Sequence, residues 1–272
     1  MTLARPLRDA IEPFHRLCYF APEVRRPYIE GLGLHPWTAY FGQRAAPMGK
    51  VEAPVVTATF YGFSPRLVGR SIPSVWEVIS PTEATRLRLS TTAEALRRVL
   101  GDLDPLVIAE ANDLAQTAVD GCEFAGRPLA AGHHAIPPDE DPLAELWRNI
   151  AVLREYRGDG HVTALVHIGL GPVESLLTSR GFADLDPHSY RTSRGWSDDE
   201  WGAAFERCRE AGWLDREGHL TDAGTAVRWE IESETDRLFE GPLEAMGPTA
   251  TGRLTELVGG MSAAVLASGE IG

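Results

Sequence analysis

The sequence predicts a mainly α-helical protein of two related helical units, the second carrying a helix-turn-helix and a short β-hairpin. Three observations predict it. Apolar residues recur at i, i+3, i+4 and i+7 through long stretches of the chain, as on the buried face of a helix. Helix-start signals precede several of these stretches, among them Ser197 with Glu200 three residues on, and Thr221. A weak internal repeat links the halves: Val56-Thr57-Ala58, then Gly62-Phe63-Ser64-Pro65 and Leu67, matches Val162-Thr163-Ala164, then Gly169-Leu170-Gly171-Pro172 and Val173. Two such copies are expected to pack with pseudo-twofold symmetry around a cleft.

In the first half, Leu7, Ile11, Phe14 and Cys18 predict a helix from about Leu7 to Phe20, closed by Pro22, with His15 at the edge of its apolar stripe. An aromatic segment, Trp37 to Ala46, contains Tyr40, Phe41 and Arg44. The run Val55 to Phe60 is compatible with a strand or a short buried helix. Pro65 and Pro73 suit first helical turns, and Thr82 to Leu100 reads as an amphipathic helix ending at Gly101. Residues 120–142, rich in Gly, Pro, Asp and His, read as a crossover.

The second half opens with Leu143, Leu146, Trp147, Ile150 and Leu153 on one helical face, interrupted by Arg157-Gly158-Asp159-Gly160-His161. There Asp159 is expected to cap a new helix starting at Gly160, which turns at Gly169-Leu170-Gly171 and restarts at Pro172. The capped helix from Asp198 ends at Gly212, Trp213 to Leu220 has hairpin length, and Thr221 caps a last long helix through Leu238. Helix, short wing, helix is the outline of a winged-helix module. The expected organisation is a unit at 1–119, a crossover at 120–142, a winged-helix unit at 143–240 and a helical extension at 241–272.

At 272 residues with 43% hydrophobic and 24% charged side chains, the chain can bury a core without disulfide or metal staples. No apolar run reaches the roughly 18 residues of a membrane span and no secretory leader is evident, so a cytoplasmic protein is expected. Cys18, Cys122 and Cys208 form no CxxC pair and read as reduced, buried thiols. Residues 1–100 carry 13 basic against 8 acidic side chains, and residues 101–272 carry 13 against 31. An acidic C-terminal half repels phosphate backbones, which argues against nucleic acid as a partner.

Five phrases carry a family resemblance: HRLCYFAPE (15–23), YFGQRAAPMG (40–49), TATFYGFSP (57–65), LREYRGDGH (153–161) and RGWSDDEW (194–201). In combination they resemble an actinobacterial helix-turn-helix family, and the segment Trp196 to Leu238 is similar to MarR-type winged helices with a much shorter wing. The resemblance implies a winged-helix-derived, α-rich fold and supplies no reaction or substrate.

No HExxH, CxxC, P-loop, GxGxxG or GxSxG motif occurs, which removes the common nucleotide-binding and serine-hydrolase classes. With no local ligand cluster no metal site is assigned, the cofactor stays unknown, and a metal or haem would have to be held by distant histidines; His133-His134 reads as a solvated loop pair. The candidate ligand-binding residues are Arg157, Asp159, His161, Arg44, His15, Tyr19 and Tyr40. Arginine is a permanent planar donor for an anion; His15 and Tyr19, four residues apart, reach the same space; Arg44 sits among aromatics. His161, expected in a first helical turn, would be held neutral by the helix dipole. The favoured function is binding of an anionic small molecule with an apolar or aromatic body, for sequestration or sensing. One alternative is an enzyme of specialised metabolism using His161 or His15 as acid/base, and the second is a MarR-like DNA-binding regulator. A homodimer remains open.

Overall fold

Leu7, Ile11, Phe14 and Cys18 lie along one buried face of α1 (Ala4–Phe20), and that face packs on the C-terminal helix α14 (Glu240–Ala267). The computed structural model describes residues 3–179 and 187–271. The chain continues through α2 (Pro22–Arg26), a π turn, α3 (Pro36–Ala45), α4 (Ala53–Phe60), α5 (Pro65–Gly69), α6 (Pro81–Leu100), α7 (Pro105–Asp120) and α8 (Pro128–His134). Then follow α9 (Pro142–Ile168), α10 (Pro172–Thr178), α11 (Pro187–Ser193), α12 (Asp198–Glu210) and α13 (Asp222–Arg237). The protein is mainly helical. Among the described residues no helix is long and apolar enough to cross a membrane.

Local chemistry explains most helix starts. Proline stands in the first turn of each of α2 through α11, which suits a position whose N–H has no intrahelical partner. Ser80 with Glu83 and Ser197 with Glu200 form complete capping boxes on α6 and α12, and the Thr221 hydroxyl accepts from the Gly224 N–H to cap α13. The ambiguous run at Val55 to Phe60 is helical, within α4. Pro73 opens no α-helix and precedes a 3₁₀ turn, Ser74–Glu77. The expected hairpin is a single isolated antiparallel bridge, Leu214 to Leu220, and no strand occurs among the described residues.

Two expectations fail at the centre of the fold. The Arg157 to His161 stretch does not break a helix: α9 runs unbroken for 27 residues, and Asp159 and Gly160 are buried within it. The other is the histidine pair: residues 120–142 contain α8, which packs on α9 and buries His133 at 1% exposure while His134 stays exposed, so His133-His134 is not a solvated pair.

The two errors have one cause. Asp159 does serve as a cap, but for the other helix: its Oδ2 accepts from the Leu129 and Ala130 N–H groups, 3.0 Å each, at the start of α8. Gly160 is small because Arg127 crosses α9 there; an added Cβ would meet the Arg127 guanidinium at 2.8 Å and Leu238 at 3.3 Å. Arg127 stacks 3.7 Å above the Tyr156 ring and donates to the Tyr156 and Leu238 carbonyls, tying α8, α9 and the end of α13 together. Asp159→Ala is expected to lower stability by about 1–2 kcal/mol in urea unfolding, the scale of a lost buried cap. No loss would mean that Asp159 does not hold α8.

The largest apolar cluster joins α1, α2, α6, α7, α9 and α14 around Phe14, Trp147 and Phe239, while α3 to α5 enclose a second around Phe41 and Phe63. All three cysteines are buried and free. The first repeat copy folds as α4, turn, α5 and the second as the end of α9, turn, α10. Each first helix ends at a residue of positive φ, Tyr61 (46°) and Gly169 (82°). A tyrosine in that region is strained. Here the Tyr61 hydroxyl donates to the Leu170 carbonyl, so the two turns meet.

Candidate functional site

Where these turns meet, α1, α3 and α4 face α9, α10 and α13 across a cleft of about 720 Å³. One wall is aromatic: Tyr19, Tyr40, Phe60, Tyr61 and Phe63, with Tyr190 of α11 at the side. The other wall is the α9 stripe Arg154, Arg157, His161 and Leu165, successive turns of one helix spanning about 16 Å. Arg228 and Glu232 of α13 and Arg8, Glu12 and Arg16 of α1 complete it. The cleft runs on into a hollow of about 320 Å³ bounded by Arg5, Arg8, Arg157, Arg228 and Trp229.

Five of the seven residues predicted for the site, Arg44, Tyr19, Tyr40, Arg157 and His161, line this cleft. Two do not. Asp159 faces α8 as its cap, and His15 is fully buried behind Tyr19, its ring stacked on Trp147 at 5.3 Å. His15 therefore touches the cleft only through Tyr19, whose hydroxyl is 3.2 Å from His15 Nε2.

Arg44 and Arg157 each have their own acid. Arg44 Nη2 lies 3.7 Å from Glu155, its Nη1 donates to the Tyr40 hydroxyl at 3.2 Å, and its guanidinium stacks 4.1 Å above Phe60. Arg157 Nη2 reaches Glu232 at 3.1 Å and Asp236 at 3.0 Å, joining α9 to α13. Glu155 is 1% exposed; burial opposes its ionisation, but Arg154 at 3.0 Å, Arg44 and the nearby histidines hold its carboxyl well below the usual carboxylate range.

His161 is mid-helix, so the helix dipole does not set its charge. Burial does, lowering it to about 4 against the opposing pull of Glu232. Its tautomer follows from its partner. The Thr235 hydroxyl gives its one proton to the Ile231 carbonyl at 2.7 Å, so His161 Nδ1, 3.0 Å from that oxygen, must be the donor. Nε2 is then left as a proton acceptor. Three cleft-wall nitrogens, Arg44 Nε, Arg157 Nε and Arg228 Nη1, are buried with no hydrogen-bond partner. Buried donors are rarely left so without reason.

Sequence reasoning missed Arg154, Arg194 and Arg228. Arg154 lies three residues before Arg157 and seven before His161, a spacing visible once the glycines are read as part of one helix. Arg194 and Arg228 had no signal, because only tertiary packing brings them to the cleft. Among the described residues no three His, Cys, Asp or Glu side chains converge as a metal-ligand set.

A helix, a glycine turn and a second helix, α9 to α10, precede α12, and a family model described as a helix-turn-helix family matches residues 4–272. The chain belongs to this helix-turn-helix family. No curated protein and no solved structure matches it. In this helix-turn-helix protein α10 is not presented to solvent: it buries Val173, Glu174, Ser175, Leu176 and Thr178, with Glu174 paired to Arg207 of α12 at 2.6 Å. Arg180, at the end of the expected motif, lies outside the described residues.

Proposed function

We propose that this protein binds an anionic small molecule with an apolar or aromatic body in the cleft, as a cytoplasmic sequestering or sensing protein on a winged-helix-derived, MarR-like scaffold of two pseudo-symmetric units. The observation that carries it is a cleft whose walls set the side chains of Arg44, Arg154, Arg157, Arg194 and Arg228 against six aromatic rings. Anion donors beside an apolar shelf match such a ligand in both its parts. The ligand-binding set is Arg44, Tyr19, Tyr40, Arg157 and His161, extended by Arg154, Arg194 and Arg228. Binding is tested by thermal shift against a panel of aromatic and aliphatic carboxylates and phosphates: ligands should raise Tm, and Tyr40→Ala should abolish the shift. A panel without a single hit overturns the proposal.

The main competitor is DNA binding, the activity a helix-turn-helix family brings to mind. The exposed face of α12 carries Asp198, Asp199, Glu206 and Glu210 against Arg207, and the bridge that replaces a wing exposes Glu217 beside Arg216. Phosphate affinity comes from cations that displace condensed counterions, and this face has the opposite sign. A fluorescence-anisotropy titration with duplex DNA is expected to show no nanomolar, salt-sensitive binding; its appearance would favour the regulator instead.

One observation supports an enzymatic use of the same cleft: His161 Nε2, unprotonated near neutral pH, is a base at the ligand wall. Turnover of any thermal-shift hit, lost in His161→Gln with affinity retained, would distinguish enzyme from binder.

A further inference from the structure

Charge pairing around the cleft indicates the valence of its ligand. Setting aside Arg16, which stacks on Phe20 at the rim, seven guanidiniums face the cleft and its hollow: those of Arg5, Arg8, Arg44, Arg154, Arg157, Arg194 and Arg228. Among the described residues, five carboxylates serve them. Asp9 pairs with Arg8, Glu12 and Glu155 with Arg154, Glu155 also with Arg44, Glu232 with Arg157 and Arg228, and Asp236 with Arg5 and Arg157. Three of the five are shared, so the surplus is spread over the network as well as placed on Arg194. Arg194 has no carboxylate partner among the described residues. Its guanidinium lies 4.5 Å above Phe63 and 4.9 Å above Tyr190, which hold it flat and leave its edge N–H groups for an oxyanion.

We infer that the ligand is a dianion, a phosphate monoester or a dicarboxylate on an aromatic or apolar body, and that Arg194 receives one of its charges. The inference rests on the cleft being the ligand site. Two surplus positive charges in a partly buried cleft with one aromatic wall repel each other and the rest of the network, and two negative charges on one ligand neutralise both.

Isothermal titration of the full chain at pH 7.5 and constant ionic strength tests this with benzoate, terephthalate and phenyl phosphate, which share one aromatic body and differ in charge. The expected result is at least tenfold tighter binding of one or both dianions than of benzoate; which dianion binds tells phosphoryl from dicarboxylate. Arg194→Gln strands no carboxylate among the described residues, so its fold should survive, checked by circular dichroism. It should weaken the dianion about tenfold and benzoate by a clearly smaller factor, whereas Arg253→Gln, on a distant exposed pair with Glu110, should change nothing. Equal affinity for benzoate and the dianions, or an Arg194→Gln variant that binds dianions like the parent, overturns the inference and leaves the cleft an anion site. If thermal-shift hits are all monoanions the inference fails alone; if there are no hits, the proposed function fails with it.

Discussion

Glu155→Ala is expected to lower stability by about 3–5 kcal/mol in urea unfolding, the loss seen when one partner of a buried ion pair is removed. Glu155 sits under the cleft with Arg154, Arg44 and His15 around its carboxylate, the last at 3.7 Å. Without it Arg154 keeps Glu12, but Arg44 keeps only the Tyr40 hydroxyl and the Phe60 face while its Nε already lacks a partner. Glu155→Gln, which preserves shape and one acceptor, should lose less, on the order of 2 kcal/mol. A second readout separates a structural role from a functional one. Removing this negative charge leaves the cleft more cationic, so anion affinity should rise as stability falls. A Glu155→Gln variant of unchanged affinity would place the ligand away from Arg44.

Mild acid is expected to destabilise the protein by several kcal/mol between about pH 6.5 and pH 4, as two buried histidines of depressed pKa, His133 and His161, and a third, His15, take up protons only on unfolding. Burial is the first cause for all three: His133 is lowered to about 3, His161 to about 4, and His15 well below its ordinary value. The unfolded chain binds more protons below pH 6.5, so each ring's contribution is intact above that pH and declines by about 1.4 kcal/mol per pH unit as the pH falls toward its folded pKa. Asp159 acts in the opposite sense. Burial raises it to about 6 against its two backbone hydrogen bonds, so from about pH 6 down to its unfolded value it partly offsets the loss. Below that, Glu12, Glu155 and Glu232, held ionised by neighbouring arginines, are protonated and add to it. His133→Leu should flatten the profile and raise stability at pH 7 by on the order of 1 kcal/mol, since both ring nitrogens of His133 are buried without a partner. A urea midpoint constant from pH 7 to pH 4.5 would show that these rings are solvated in the folded chain.

The sequence by itself determined what depends on near neighbours. Helix class follows from the spacing of Leu7, Ile11, Phe14 and Cys18; the ends of α6, α12 and α13 follow from Gly101, the Ser197 and Glu200 box, and Thr221, because a cap bonds residues two or three positions away. Arg44, Tyr19, Tyr40, Arg157 and His161, read from the sequence as residues of a cleft, line one in the structure. Tertiary structure decided the rest. Gly158 and Gly160 carry the local signal of a break, yet α9 continues through them, since a helix packed on several sides tolerates the glycine penalty of about 1 kcal/mol each and Arg127 needs the space at Gly160. Asp159 looked like a cap for its own helix and caps α8, a pairing across 30 residues that no local pattern encodes. His15 was legible as polar but not as buried behind Tyr19, and Arg194 and Arg228 reach the cleft only because helices distant in sequence converge there. Capping and periodicity act over a few residues of chain, whereas burial and charge pairing act through space, and the cleft is assembled by the second kind.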